Sequence, residues 1–215
     1  MKKIILFTVL MLFGALYINA QSYDFEIGDF SYYNLRWRLP DGNKNTVSIK
    51  GYKGTKSELV IPNSIIHDGI TKKVYLIKAR TFLTDSNITS ITIPSVFIVE
   101  KEAFAGATKL EKVVLGDSVS LSKFCFDECS QLQTVVFKGK VYSFDRAFGW
   151  HNSTMQRGFY FISSTPPTVL MEADFDESVY KQVTLYVPNN SVEKYKSDSV
   201  WGKFKIEVWE TDKKQ

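Results

Sequence analysis

Hydrophobic positions between Val74 and Phe148 recur at a fixed long interval. Phe82, Phe104, Phe126 and Phe148 stand 22 residues apart. Six residues after each of the first three comes an aliphatic residue, Ile88, Leu110 or Leu132. It leads into a short alternating run, Ile91-x-Ile93, Val113-x-Leu115 or Val135-x-Phe137, and the next Phe follows eleven residues later. Ile77, Val99 and Leu121 form another column, in which Ser143 is the first polar member, and Phe97, Val119 and Val141 form a further one. Small residues keep the same interval: Cys125 takes the place of Ala103 and Ala147, and Cys129 that of Ala107 and His151. Alternation over a few residues marks a strand with one buried face. A repeat of this length marks a solenoid, whose units bury their apolar side only by stacking on one another. The pattern predicts short parallel strands about 4.7–4.9 Å apart, with the Phe column as an internal spine.

Outside 58–157 the interval fails, and other signals take over. In 21–57, Phe30 to Trp37 and Thr46 to Tyr52 read as two strands flanking the turn-forming Leu39-Pro40-Asp41-Gly42-Asn43. This predicts an N-terminal hairpin that closes one end of the stack. Leu59-Val60-Ile61 is the first repeat strand. From Ile61 to Phe82 is 21 residues, and the extra stretch containing His67, Asp68-Gly69 and Lys72-Lys73 reads as a protruding loop. Ser143 marks the fourth unit as the weak one. In 158–215, Phe159-Tyr160-Phe161 and Leu185-Tyr186-Val187 still resemble repeat strands, and Thr165-Pro166-Pro167 breaks the chain between turns. Ser191 to Lys196 predicts a short helix with Ser191 as N-cap and Glu193 in its first turn. Ile206 to Trp209 predicts a last strand closing the far end.

The run from Leu59 to Trp150 resembles the BspA-like leucine-rich repeats of exported proteins of host-associated bacteria. The resemblance rests on Ile93-Pro94, Ala103-Phe104-Ala105-Gly106, Lys109-Leu110, and Cys125-Phe126 with Cys129 and Leu132. The order Leu185-Tyr186-Val187-Pro188, Tyr195, Trp201, Phe204, Ile206 is similar to the terminal unit of that family. Glu100 and Ser122 stand where the family has Gly. The resemblance implies a leucine-rich-repeat solenoid, mainly β with irregular or short helical turns, between an N-terminal hairpin cap and a C-terminal capping unit. It also implies a non-enzymatic exported protein engaged in adhesion or in contact between cells.

Composition narrows the function. Lys2 and Lys3, the apolar run Ile4 to Tyr17 and the small residue Ala20 have the layout of a secretory signal peptide over 1–20. The expected location is therefore cell-surface, secreted or periplasmic, and no later segment is apolar for long enough to span a bilayer. Without those twenty residues the formal net charge falls from +4 to +2, and the lysines are scattered, which gives no basis for nucleic-acid binding. Cys125 and Cys129 read as two buried thiols, with a local disulfide as the alternative. A metal site using both and His151 lacks a fourth ligand, so no metal or cofactor is expected. Only His67 and His151 are present, with no phosphate loop, His-Glu-x-x-His or Gly-x-Ser-x-Gly, and a hydrolase is the least favoured reading. The Asn87, Asn152 and Asn189 sequons are surface signals only in a cell that glycosylates them.

Stacked strands also define what faces out. Residues between the buried ones project together, giving the row Val60, Thr92, Val114, Val136, Tyr160 and Tyr186. Ser90, Lys112, Thr134 and Thr184 flank it. This strand face is the candidate binding surface for a protein or glycoprotein ligand. A glycan stacked on Tyr160, Tyr186 or Trp150 is the alternative, and a plain β-favouring surface is the ordinary explanation.

Overall fold

The computed structural model describes residues 24–35, 45–144, 146–148, 156–167, 175 and 177–209. Residues 1–20, expected to be a signal peptide, Trp37, the expected turn-forming residues 39–43, Trp150, His151 and Asn152 lie outside the described residues. The chain opens with β1 (Asp24–Ile27) and β2 (Phe30–Asn34), an antiparallel hairpin turning at Gly28, which sits at φ +59°. β3 (Thr46–Tyr52) pairs antiparallel with β2, as the expected hairpin requires. β1 is an additional strand.

β4 (Glu58–Val60) begins the repeats. The expected protruding loop is instead a second hairpin, β5 (Ser64–His67) and β6 (Ile70–Ile77). Asp68 and Gly69 both have positive φ, 53° and 71°, the conformation a two-residue hairpin turn demands. The second half of β6 then rejoins the solenoid. Three regular units follow: β7 (Ser90–Ile93) with β8 (Ile98–Val99), β9 (Lys112–Leu115) with β10 (Ser118–Leu121), and β11 (Thr134–Phe137) with β12 (Lys140–Ser143). β13 (Arg157–Phe161), α1 (Glu177–Gln182), β14 (Val183–Val187), α2 (Val192–Lys196) and β15 (Lys205–Val208) complete the described chain. Ser191 precedes α2 but does not cap it, because its hydroxyl donates to the Pro188 carbonyl at 2.6 Å.

Each regular unit visits three ladders. β4, β7, β9, β11, β13, β14 and β15 form a wholly parallel front sheet. β3, β6, β8, β10 and β12 form a parallel back sheet, which β2 and β1 prolong. The passage from front to back is tight: a Cβ on Gly116 would lie 1.7 Å from the Pro94 carbonyl oxygen, and one on Gly139 would lie 1.7 Å from that of Asp117. The third ladder is made of stacked turns. The amides of Phe82, Phe104 and Phe126 donate to the carbonyls of Ala103, Cys125 and Ala147 at 2.8, 2.8 and 2.9 Å.

Those turns need left-handed backbone at regular places. Arg80, Glu102, Phe124 and Arg146 have φ of 62°, 58°, 60° and 51°, and Thr84, Gly106 and Glu128 have 56°, 71° and 53°. Only one of the seven is glycine, the residue for which this region carries no steric cost. The same turns aim the phenylalanines inward. Successive ring centroids from Phe82 to Phe148 lie 4.7, 5.1 and 5.4 Å apart, with planes within 12° of parallel. Tyr52 and Phe30 continue the column at one end, and Phe159 meets Phe148 at the other.

Two columns depart from the simple interval. A bulge shifts the β10–β12 register, so Val119 still faces Val141 but Ser120 faces Ser143. Phe144 thereby enters the core, fully buried, against Phe137, Phe175 and Trp201. Ser143 thus leaves no gap in the fourth unit. Phe97 also leaves its expected column: Val96 is buried in its stead, and Phe97 stacks on Tyr75 at 5.2 Å, half-buried.

Two outcomes test this architecture. Phe126→Ala removes a ring stacked on both sides, and should lower the unfolding free energy by about 3–5 kcal/mol in urea titration. Glu128→Gly should raise it by about 0.5–1 kcal/mol. That gain is the left-handed cost of about 1–2 kcal/mol less the glycine entropy of about 0.5–1 kcal/mol. An unchanged or lower midpoint for Glu128→Gly would show that the turn column is not strained.

Candidate binding face

Alternation along each front strand sends one residue in and the next out, and the parallel register lines these up. Val60, Thr92, Val114, Val136, Tyr160 and Tyr186 occupy one row, which Glu207 extends. Ser90, Lys112, Thr134, Gly158, Thr184 and Lys205 occupy the row beside it, with Glu58 at its start.

Exposure along the row is uneven. Val60, on the edge strand, is 63% exposed. Thr92, Val114, Tyr160, Tyr186, Lys112 and Thr134 are half-buried. Val136 is only 4% exposed and Thr184 is 9% exposed. As an accessible contact Val136 is therefore corrected: a short side chain in mid-sheet is flanked within its row by Val114 on one side and the larger Tyr160 on the other. The exposed strip thus breaks at β11, and its aromatic half lies beyond.

That half is organised. Tyr160 and Tyr186 stack with centroids 4.5 Å apart and planes 7° from parallel, the spacing of adjacent strands. Tyr160 leans along its own strand over Gly158, where a Cβ would come 2.6 Å from the ring. Trp209 meets Tyr160 edge-on at 5.6 Å, and its backbone amide donates to the Val187 carbonyl at 2.7 Å. Sequence reasoning placed Trp209 in a closing strand and missed its contribution here. Alternation from Glu207 to Trp209 was the available signal. Lys205 and Glu207 pair at 2.6 Å beside the rings. Burial, with Tyr186 and Glu207 adding to it, raises the Tyr160 phenol above its ordinary range, so the ring stays neutral.

The other chemistry-bearing residues are structural. His67 is not solvated in a loop: it stacks on Phe25 at 3.7 Å, with Nδ1 3.2 Å from the Asp68 carboxylate. Cys125 and Cys129 are both fully buried, and the Cys129 thiol lies 3.2 Å from the Phe104 carbonyl oxygen. Arg157, which the sequence did not single out, is buried on β13. Its Nε donates to the Leu132 carbonyl at 2.8 Å and Nη1 to Gln182 Oε1 at 3.2 Å, tying α1 to the preceding unit. Among the described residues no cluster of His, Cys, Asp and Glu could hold a metal ion. No helix among them is long and apolar enough to cross a membrane.

Residues 61–157 match the model of the BspA type leucine rich repeat region, in six copies. Among solved structures, a leucine-rich repeat protein from Bacteroides ovatus is 19% identical, with a TM-score of 0.50 over 87% of this chain and 41% of its own. A leucine rich cell surface protein from Faecalibacterium prausnitzii is 19% identical, with a TM-score of 0.45 over 82% of this chain and 54% of its own. A leucine-rich repeat protein from Bacteroides capillosus is 17% identical, with a TM-score of 0.43 over 65% of this chain and 99% of its own. No curated protein matches the sequence. The B. ovatus likeness and the repeat match together establish the leucine-rich-repeat fold.

Burial also gives the stability a pH dependence. It pushes the Cys129 thiol from 9.0 up to about 12, and the Tyr32 phenol from 10.0 up to about 12. The unfolded chain releases these protons at the ordinary values while the folded chain keeps them, so protons drive folding in that window. Stability should be constant from these groups below about pH 8 and fall as pH rises from about 9 to 12. Urea midpoints at pH 8 and 10.5 check this. Equal midpoints would contradict the burial of these groups.

Proposed function

We propose, on the match of residues 61–157 to the BspA type leucine rich repeat model, that the chain is a non-enzymatic binding protein. It engages a protein or glycoprotein partner through the outward face of the front sheet, in adhesion at the cell surface after export by residues 1–20. The Tyr160–Tyr186–Trp209 cluster carries this reading. Tyr and Trp are the residues over-represented among interface anchors. These rings are already held by each other and by the Gly158 notch, so little freedom is lost when a partner covers them.

The chemistry of the face favours contact over turnover. Thr, Val, Tyr and Trp make up most of it, and a phenol raised by burial is removed from the range useful for acid–base catalysis. Protein is favoured over glycan because the flat faces of Tyr160 and Tyr186 are turned toward each other, leaving less ring surface for a sugar to lie on. Thr92, Val114, Lys112 and Thr134 continue the contact toward Val60.

The test is capture by the immobilised chain, lacking residues 1–20, from a panel of purified extracellular proteins and from a glycan array. Protein capture is expected, and Tyr160→Ala or Trp209→Ala should weaken it by about thirtyfold, the effect of losing an anchor worth about 2 kcal/mol. Their urea midpoints should move little by comparison. Capture that survives both substitutions would remove this face from consideration, and hits confined to defined sugars would replace protein with glycan.

A further inference from the structure

Among the described residues, the back sheet stops before the front sheet does. β12 is its last described strand, while the front sheet adds β13, β14 and β15. In earlier units the chain leaves a front strand, turns, and lays a new strand on the back sheet. After β13 it passes instead through Ser163 and Thr165, where the Ser163 hydroxyl donates to the Thr165 carbonyl at 3.0 Å and accepts from the Thr165 amide at 3.1 Å. Pro166 and Pro167 follow, and neither has an N–H with which to continue a ladder. The Trp201 indole N–H and the Tyr195 hydroxyl hold this segment, donating to Pro167 at 2.7 Å and to Ser163 at 3.3 Å.

A cleft of ≈ 500 Å³ remains where the next back strand would lie, a volume typical of ligand-binding clefts. Lys138 to Val141 form one wall, and Ile162, Ser163 and Pro166-Pro167 the other. The Lys140 amide donates back to Asp117 at 2.9 Å, so alternation turns the backbone of Val141 toward the cleft. Among the described residues no strand pairs with that edge. Two large apolar side chains stand exposed beside it, Tyr142 at 39% and Ile162 at 42%. The ammonium of Lys140 lies 4.7 Å from the Tyr142 ring. No carboxylate is among the lining residues.

We propose that the β12 edge is a second binding site, which takes an extended acidic peptide segment of a partner protein as an added strand. Main-chain hydrogen bonds to Val141 supply the affinity, and alternate side chains meet Lys138, Lys140 and Ile162. Charge selects the occupant. Two lysines and no acid favour glutamates or aspartates in the incoming strand, and they oppose pairing with the same edge of a second copy, which would set lysine against lysine. This site lies on the sheet opposite the Tyr160 cluster and stands or falls separately from it.

The experiment titrates the ¹⁵N-labelled chain with a blocked peptide Val-Glu-Val-Glu-Val and with its Val-Lys-Val-Lys-Val counterpart. Amide exchange and chemical shifts are followed at Lys140–Ser143, and light scattering at each step. The acidic peptide should slow exchange of the Val141 amide, and the basic peptide should not. Lys138→Glu with Lys140→Glu, both at exposed positions, should weaken the acidic peptide by about tenfold or more and admit the basic one. Three results overturn the site: shifts equal for both peptides, binding without protection at Val141, or a mass increase of the free chain showing a second copy on the edge. Absence of binding by either peptide overturns it as well. Tyr160→Ala should leave the titration unchanged, which separates this site from the front face.

Discussion

A single turn of this chain has no interior of its own. Its apolar side becomes a core only when the turns before and after lie against it, and the phenylalanine column concentrates that dependence. Phe104 and Phe126 each present both ring faces to a neighbour about 5 Å away, so each ring is half of two contacts. The stacked turns that aim the rings hold six non-glycine residues in left-handed backbone. The inter-turn hydrogen bonds and the rings together offset that cost. Both sheets follow, since their strands are the segments left between one stacked turn and the next.

Staggered ends give the solenoid its two surfaces of interest. The back sheet runs ahead at the N-terminal side through β1, β2 and β3, and the front sheet runs on at the C-terminal side through β13, β14 and β15. On the front, the extra strands carry the Tyr160–Tyr186–Trp209 cluster. On the back, the absence of a matching strand among the described residues leaves β12 bordered by a lysine-lined cleft. Aromatic packing continues across the interior at this end, from Phe148 through Phe159 and Phe137 to Phe161 and Trp201. The rings that stabilise the end therefore differ from those that face outward.

Where the interval held, the sequence was readable to single residues. Thr92, Val114 and Val136 have the register their spacing implies, and Val60, Tyr160 and Tyr186, which stand at other spacings, join the same row through the alternation of their strands. Departures came where one residue changes the count. The bulge that admits Phe144 leaves no mark in composition, because Ser143 is an ordinary strand-edge residue. The β5–β6 hairpin was hidden by reading an insertion as a loop, although Asp68-Gly69 between alternating residues is a hairpin signal. Arg157 and Trp209 were overlooked because they lie beyond the last regular Phe, where burial and pairing depend on packing instead of period. Val136 shows the remaining limit: facing outward is set by alternation, but accessibility is set by the neighbours.

The central claim is that each turn is ordered by its neighbours, so a defect in the spine must spread along the stack. Amide hydrogen exchange of Phe126→Ala against the unsubstituted chain measures this strand by strand. The account predicts faster exchange in β9 and β11 on the front sheet and in β10 and β12 on the back sheet, on both sides of the missing ring. Faster exchange confined to the turn around residue 126, with those four strands unchanged, would contradict it.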